Sequence, residues 1–305
     1  SRSTFRLSGD TMDYRNRLQG LLEENTCHLM PCCFDALSAK LIEQEGYPLT
    51  FMSGFAASAS RLGAPDLGLM SYGEVVDQVR CITSVLKIPL IADGDTGYGN
   101  AMNVRRTIYG LAQAGASAVM IEDQVSPKRC GHTPGKEVVG RDEAFDRVRA
   151  AIDARDEVTA EGGPKVLILG RTDARHELGL GEAINRATKF ADLGADILFI
   201  ESPKTEEEMI EICRSVPGPK MANIVEGGLT PELKPDVLGE IGYSLVAYPL
   251  TLLSASMLAM RDTLRDMKAN RQPRLMDFIE LRDRVGFEDY YALSERYSTS
   301  KRRDL

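Results

Sequence analysis

The sequence predicts a closed (β/α)8 barrel of the TIM type. Three observations lead there: eight short apolar runs bounded by turn residues, helix-spaced segments between them, and charged residues gathered where the runs end. The runs span residues 28–34, 49–55, 88–95, 118–124, 165–172, 197–202, 220–226 and 243–250. They are nearly continuous in apolar residues rather than alternating, the pattern of parallel strands covered on both faces. Helical spacing follows over 36–45, 72–85, 101–114, 141–154, 181–193, 206–215 and 234–240. With no linker, low-complexity tract or repeat beyond the βα unit, residues 19–305 read as one barrel domain with a C-terminal helical extension. Segments 252–268 and 278–297 hold more helix than one barrel unit needs, so the C-terminus is expected to pack elsewhere, on a partner subunit.

Composition narrows the function classes. A chain of 305 residues that is 43% hydrophobic and 27% charged has the makings of an ordinary globular protein with a large core. Its net charge of −8, with no basic patch outside the ends, argues against a nucleic-acid partner. No apolar run is long enough to cross a bilayer, so a membrane partner is not expected either. Six cysteines at irregular spacing in a long chain fit reduced thiols in a cytosol-like compartment better than a disulfide scaffold. Residues 1–18 read as an N-terminal tail, the remnant of a transit peptide or an expression scar. A transit remnant would place the protein in a plastid or mitochondrial matrix, and Met12 equally reads as a natural start.

In a barrel of this kind the working groups sit at the C-terminal ends of the strands. The third run ends in Asp93-Gly94-Asp95, the fourth in Glu122-Asp123, the fifth in Arg171-Thr172-Asp173, the sixth in Glu201, and the seventh in Asn223 followed by Glu226. Asp93, Asp95 and Glu122 on neighbouring strands suit a hard cation that takes oxygen ligands, as Mg2+ does. Zinc fits less well, because His132 is the one histidine in the adjoining loops. Helix capping explains any single acid as readily, but it does not require three of them on adjacent strands.

Cys130 follows the fourth run in a loop with Lys128, Arg129, His132 and Lys136. Positive neighbours lower a thiol's pKa and favour the reactive thiolate, so this cysteine is read as the catalytic acid/base. The other five cysteines read as core or surface residues; vicinal Cys32-Cys33 lacks the spacing of a redox or zinc pair. His28 and His176 read as structural. Gly94, Gly97 and Gly99 have the wrong spacing for a dinucleotide loop, and Gly227-Gly228 reads as a turn.

Taken together, Ser53-Gly54-Phe55, the segment Ala92-Asp93-Gly94-Asp95-Thr96-Gly97-Tyr98-Gly99, Ile121-Glu122-Asp123-Gln124, Lys128-Arg129-Cys130-Gly131-His132, Gly170-Arg171-Thr172-Asp173-Ala174 and Asn223-Ile224-Val225-Glu226-Gly227 resemble the isocitrate lyase/phosphoenolpyruvate mutase superfamily. The resemblance covers about residues 20 to 300 and is nearest to the short-chain branch of methylisocitrate and 2,3-dimethylmalate lyases. It implies a Mg2+ enzyme, with Mn2+ able to substitute, in which Asp93 and Asp95 hold the ion and Glu122 and Asp66 reach it through water. It further implies that Ser53, Gly54, Phe55 and Arg171 grip the 2-oxo acid part of the substrate, and that Gly131, His132, Glu201 and Asn223 complete the pocket. The implied assembly is a homotetramer, a dimer of dimers that exchanges its last barrel helix.

The implied reaction is retro-aldol cleavage of a 2-hydroxy dicarboxylate, with Lys128, Arg129 and His132 stabilising the departing enolate and Cys130 protonating it. Phosphonate-forming mutases of the superfamily need no such acid. Methylisocitrate lyases carry two arginines where this chain has Ser254 and Phe278, and oxaloacetate hydrolases place a serine where it has Pro249. A 2,3-dimethylmalate-like or otherwise 2-substituted malate, cleaved to pyruvate or another 2-oxo acid plus a short carboxylate, is therefore the expected substrate. Oxaloacetate hydrolysis or decarboxylation, methylisocitrate cleavage, and a degenerate barrel serving as a binding or scaffold protein are the alternatives. The last is motivated by Phe51, where relatives often have tyrosine.

Overall fold

A computed structural model describes residues 14–133 and 135–297. Its eight parallel strands are β1 (His28–Cys33), β2 (Thr50–Met52), β3 (Leu90–Asp93), β4 (Ala118–Glu122), β5 (Leu167–Thr172), β6 (Ile197–Ile200), β7 (Met221–Asn223) and β8 (Leu245–Tyr248). They pair in the order β6-β5-β4-β3-β2-β1-β8-β7, and a parallel bridge between Leu198 and Lys220 ties β6 to β7, so the sheet is a nearly closed barrel. Helices α1 (Tyr14–Glu23), α2 (Ala36–Gln44), α3 (Gly54–Leu62), α4 (Tyr72–Thr83), α5 (Ala101–Gln113), α6 (Arg141–Ala160), α7 (Ala174–Leu178), α8 (Leu180–Leu193), α9 (Glu206–Ser215) and α10 (Pro235–Ile241) lie in the first 255 residues. Among the described residues no helix is long and apolar enough to cross a membrane.

Both faces of the strands are buried, which is why the runs read as continuous. Met30, Cys32, Phe51, Ile91, Met120, Leu169, Phe199, Met221 and Ala247 fill the barrel interior. Their neighbours of opposite parity, among them Cys33, Ala92, Val119, Ile121 and Ile168, pack outward against the helices. Leu18 of α1, fully buried, packs with the interior set. The expected tail over 1–18 is thereby corrected at its inner end, because residues 14–18 begin a helix; residues 1–13 lie outside the described residues.

The observed strands are shorter than the expected runs because polar residues stop them. The second run stops at Ser53, whose hydroxyl accepts a bond from Ala56 N (3.1 Å) and caps α3, a helix hidden in the sequence by its run of alanine and serine. The third stops at Asp93, before Asp95 turns left-handed at φ 47°. The expected helix 278–297 is two helices, α12 (Phe278–Val285) and α13 (Phe287–Glu295), because Gly286 at φ 103° caps the first. With the long α11 (Thr251–Lys268) they make up most of the C-terminal extension. The described residues divide into two compact units: residues 14–255 carry the barrel, and residues 256–297 form the second.

Candidate active site

Side-chain alternation along the strands builds the site. Two residues beyond each interior residue comes Ser53 after Phe51, Asp93 after Ile91, Glu122 after Met120, Arg171 after Leu169, Glu201 after Phe199 and Asn223 after Met221. These form the next inward layer, at the C-terminal end of the barrel, and all but Glu122 line one pocket. Gly54, Phe55, Asp66, Lys128, Cys130, Gly131 and His132 join them from the loops. An apolar wall of Phe51, Met120, Phe199, Met221, Val225 and Pro249 completes the lining.

On the side of β3 and β4, four carboxylates surround one ammonium. Lys128 Nζ lies 2.8 Å from Asp66 Oδ1 and 2.9 Å from Asp95 Oδ1. Burial alone would lower the Lys128 pKa, but Asp95, Asp93, Asp66 and Glu122 outweigh it and hold the ammonium well above its ordinary range. Asp95 is pushed up to about 7, by burial first and then by Asp93 and Asp66, against the pull of Lys128. One cation is too few for this cluster. Glu122 is the clearest sign of it: both its oxygens are buried without a hydrogen bond, Oε2 having only an ion-pair approach from Arg171, and burial drives its pKa well up against the pull of that arginine. Among the described residues no three His, Cys, Asp or Glu side chains already converge as a metal cage. The donor set is nonetheless carboxylate oxygen throughout, and the orphaned Glu122 leaves acceptors to spare, which fits a hard divalent ion.

Across the pocket, Arg171 organises the anions of β5 and β6. Its Nε donates to Asp173 Oδ2 (2.8 Å) and its Nη2 to Asp173 Oδ1 (3.0 Å), while Glu122 Oε2 and Glu201 Oε2 lie 3.2 and 3.4 Å away. Burial pushes Glu201 up, yet Arg171, then His132 and Lys136, override it and hold the carboxyl well below its usual range. His132 Nδ1 accepts from Leu229 N (3.2 Å), so in the neutral ring the proton sits on Nε2 and faces Glu201 Oε1 at 3.2 Å.

Cys130 lines the pocket, half-buried, beside this array. The expected lowering of its pKa is overturned. Burial raises it, with Asp66 and Glu201 adding to the rise, against the opposing pull of the His132 backbone N–H and of Arg171. The basic neighbours fail to act for separate reasons. Lys128 is committed to carboxylates, and Arg129 is exposed, its guanidinium against Gly135 and outside the pocket lining. The raised pKa keeps the sulfur as a thiol at neutral pH. Sequence reasoning named Asp173 and Lys136 without giving either a role and passed over Ser202; all three hold the site from behind, and the two-residue step from Arg171 marks Asp173.

A family model described as phosphoenolpyruvate phosphomutase matches residues 18–268. The chain belongs to this family. It is 38% identical to a 2,3-dimethylmalate lyase of Eubacterium barkeri over 95% of its own length and 100% of the relative's. Among solved structures it resembles an oxaloacetate acetylhydrolase bound to 3,3-difluorooxalacetate, with a TM-score of 0.88 and 30% identity over 93% of this chain and 97% of that one. It also resembles a phosphonopyruvate hydrolase in complex with oxalate and Mg2+, with a TM-score of 0.81 and 29% identity over 94% and 99%. The phosphoenolpyruvate phosphomutase family thus includes relatives that break bonds in small anionic substrates. In this member's pocket Asp66 and Asp93 stand in one lining with Arg171.

Proposed function

We propose that the protein is a Mg2+-dependent carbon–carbon lyase that cleaves a 2-substituted malate of the 2,3-dimethylmalate type into a 2-oxo acid and a short carboxylate. The observation that carries this reading is the meeting, in one pocket, of a cation-poor acid cluster, a carboxylate-binding arginine and an un-ionised thiol. Asp93 and Asp95, with Asp66 and Glu122, would hold the ion, and Mn2+ meets the same ligand demand. Bound there, the divalent cation supplies Lewis acidity to the hydroxyl and carboxylate oxygens of the substrate.

The chain's own residues do the rest. Arg171 offers a guanidinium, and the N-terminus of α3 at Ser53, Gly54 and Phe55 offers backbone N–H groups, to the carboxylate that stays with the 2-oxo acid. The hydroxyl gives its proton to solvent as its oxygen pair forms the 2-oxo carbonyl, and the electrons of the broken carbon–carbon bond pass to the departing carboxylate enolate. Lys128 and His132 stabilise that charge, with Gly131, Glu201 and Asn223 closing the pocket beside them. Cys130 protonates the enolate carbon and regains its proton from solvent. Arg129, facing outward, keeps no role at the reacting atoms.

The apolar wall favours an alkyl-substituted malate over a tricarboxylate, because among the described residues only Lys128 and Arg171 bring a lysine or arginine side chain to the pocket, and both already face carboxylates. A third carboxylate would be buried unpaired, at a cost of several kcal/mol. Pro249 in the same wall has no hydroxyl to offer a hydrated carbonyl. In a screen of 2,3-dimethylmalate, 2-methylisocitrate and oxaloacetate, 2,3-dimethylmalate should release pyruvate fastest. Chelation should cut the rate by about 10²-fold or more and Mg2+ should restore it. Oxalate released from oxaloacetate as the main activity, or no metal-dependent turnover of any malate, would sink this assignment.

The same reading includes an assembly larger than the single chain. Helices α12 and α13 bury no residue within the chain and leave Phe278, Ile279, Tyr290 and Tyr291 exposed. The seam between β1 and β8 carries a separate apolar groove with Leu29, Pro31, Leu41, Tyr47 and Leu252 in its walls. Apolar surfaces of this kind mark interfaces. The C-terminal helices of one copy covering that groove on another, within a homotetramer, would bury both. Light scattering at micromolar concentration should find a tetramer, and a dimer after deletion of residues 269–305; a monodisperse monomer would rule the assembly out.

A further inference from the structure

The loop between β4 and α6 carries Cys130, and the manner of its attachment has a functional meaning. At its root, Gln124 Nε2 donates to Arg129 O and Gln124 Oε1 accepts from Arg129 N, both at 2.9 Å. At its far side Lys136 turns inward until only 2% of it is exposed. A loop lysine ordinarily keeps its ammonium in water, and burying one is costly unless it is paired and hydrogen-bonded. Lys136 Nζ lies 3.3 Å from Asp173 Oδ1 and donates to Gly131 O at 2.5 Å. Asp173 does not need this ammonium, since Arg171 already gives it two hydrogen bonds.

What the buried ammonium adds is a hold on the Gly131 carbonyl. Ser202 Oγ donates to that same carbonyl at 3.0 Å, from a residue whose backbone is left-handed at φ 58°. Both lone pairs of the carbonyl oxygen of the Gly131–His132 peptide, one residue beyond Cys130, are thus occupied by Ser202 after β6 and by the loop's own lysine. Gly131 rests so closely on the strands that an added Cβ would come within 2.4 Å of Glu201 Oε2 and 2.6 Å of Arg171 Nη2.

We propose that Lys136 is a positioning residue: with Ser202 it clamps the Gly131 carbonyl, holding the loop closed so that the Cys130 thiol faces the pocket. Because Asp173 takes both Lys136 and Arg171, the clamp ties the proton donor to the arginine that binds the substrate carboxylate. The proposal rests on the reading of Cys130 as the proton donor. The labelling arm of its test does not depend on which substrate the enzyme uses.

Iodoacetamide labelling, followed cysteine by cysteine by mass spectrometry, reads the clamp directly. Exposed Cys81 serves as the internal reference and buried Cys32 and Cys33 report on global unfolding. In Lys136→Met the clamp loses its ammonium, and Cys130 should label about tenfold faster with Cys81 unchanged and Cys32 and Cys33 still protected. Ser202→Ala, which strands no charge, should raise Cys130 labelling roughly two- to threefold. With 2,3-dimethylmalate, Lys136→Met should lower kcat about tenfold or more while KM moves by less than about threefold, a split that general destabilisation does not produce. Equal Cys130 labelling in the wild type and both variants overturns the clamp; should Lys136→Met unfold, Ser202→Ala decides on the same criterion. A wild type that labels as expected yet turns over no malate refutes the lyase reading and leaves the clamp standing.

Discussion

Replacing Cys130 by alanine or serine is expected to abolish turnover, lowering kcat by about 10²–10⁴-fold, while leaving Mg2+-dependent binding of pyruvate or oxalate nearly intact. The thiol stands at the pocket wall with its pKa raised by burial and by the charges of Asp66 and Glu201, so at neutral pH it carries its proton and can give it away. Alanine removes that proton outright, and a serine hydroxyl is far too weak an acid to replace it. Neither change touches the acids or Arg171, so ligand affinity, which calorimetry would read, should survive. A pH profile adds a second check with a definite sign. A donor must be protonated, so its raised pKa keeps the group active through neutral pH and places the loss of rate on the alkaline side, above the ordinary thiol range. An alanine variant with wild-type turnover, or an alkaline limb well below that range, would remove Cys130 from the mechanism.

How much of this was legible in the sequence follows from where each residue's direction is set. Asp93, Glu122, Arg171, Glu201 and Asn223 end strands, and strand alternation aims a residue once its neighbours are known to be interior. Their convergence was therefore readable from apolar runs ending in charge. Residues in the loop after β4 have no such period. Lys128 and Arg129 are adjacent and alike in the sequence, yet one is buried among carboxylates and the other is exposed. Counting basic neighbours around Cys130 accordingly gave the wrong direction for its pKa, because burial decides it, and partners at long sequence separation, Asp66 and Glu201, add to the rise. Lys136 was visible only as one more positive charge, since burial is a property of the fold and not of the residue. Helix α3 was concealed for a different reason: its small residues carry too weak a pattern, and Ser53 reads as a strand end and as an N-cap with equal ease.

Arg171→Met is expected to cost about 3–5 kcal/mol of stability, the range for breaking a buried ion pair by removing one partner. The guanidinium is the shared counter-charge of Asp173, Glu122 and Glu201, all buried, and Met leaves only Lys136 for the first and His132 for the last. Glu122 already has a raised pKa and can take up a proton, which keeps the loss toward the lower end of that range. The dependence on pH separates this cause from simple loss of packing. Arg171 holds Glu201 below the ordinary carboxylate range, so its stabilisation is complete above that range and declines as pH falls below it. The gap between wild type and variant in urea unfolding should therefore be widest near neutrality and shrink in acid; a packing defect would leave it constant. Arg171→Lys keeps the charge but cannot make the two-pronged bond to Asp173 while also reaching both glutamates, so it should fall between the two. A loss below about 1 kcal/mol at neutral pH, no more than an exposed pair supplies, would show that the three carboxylates do not depend on Arg171.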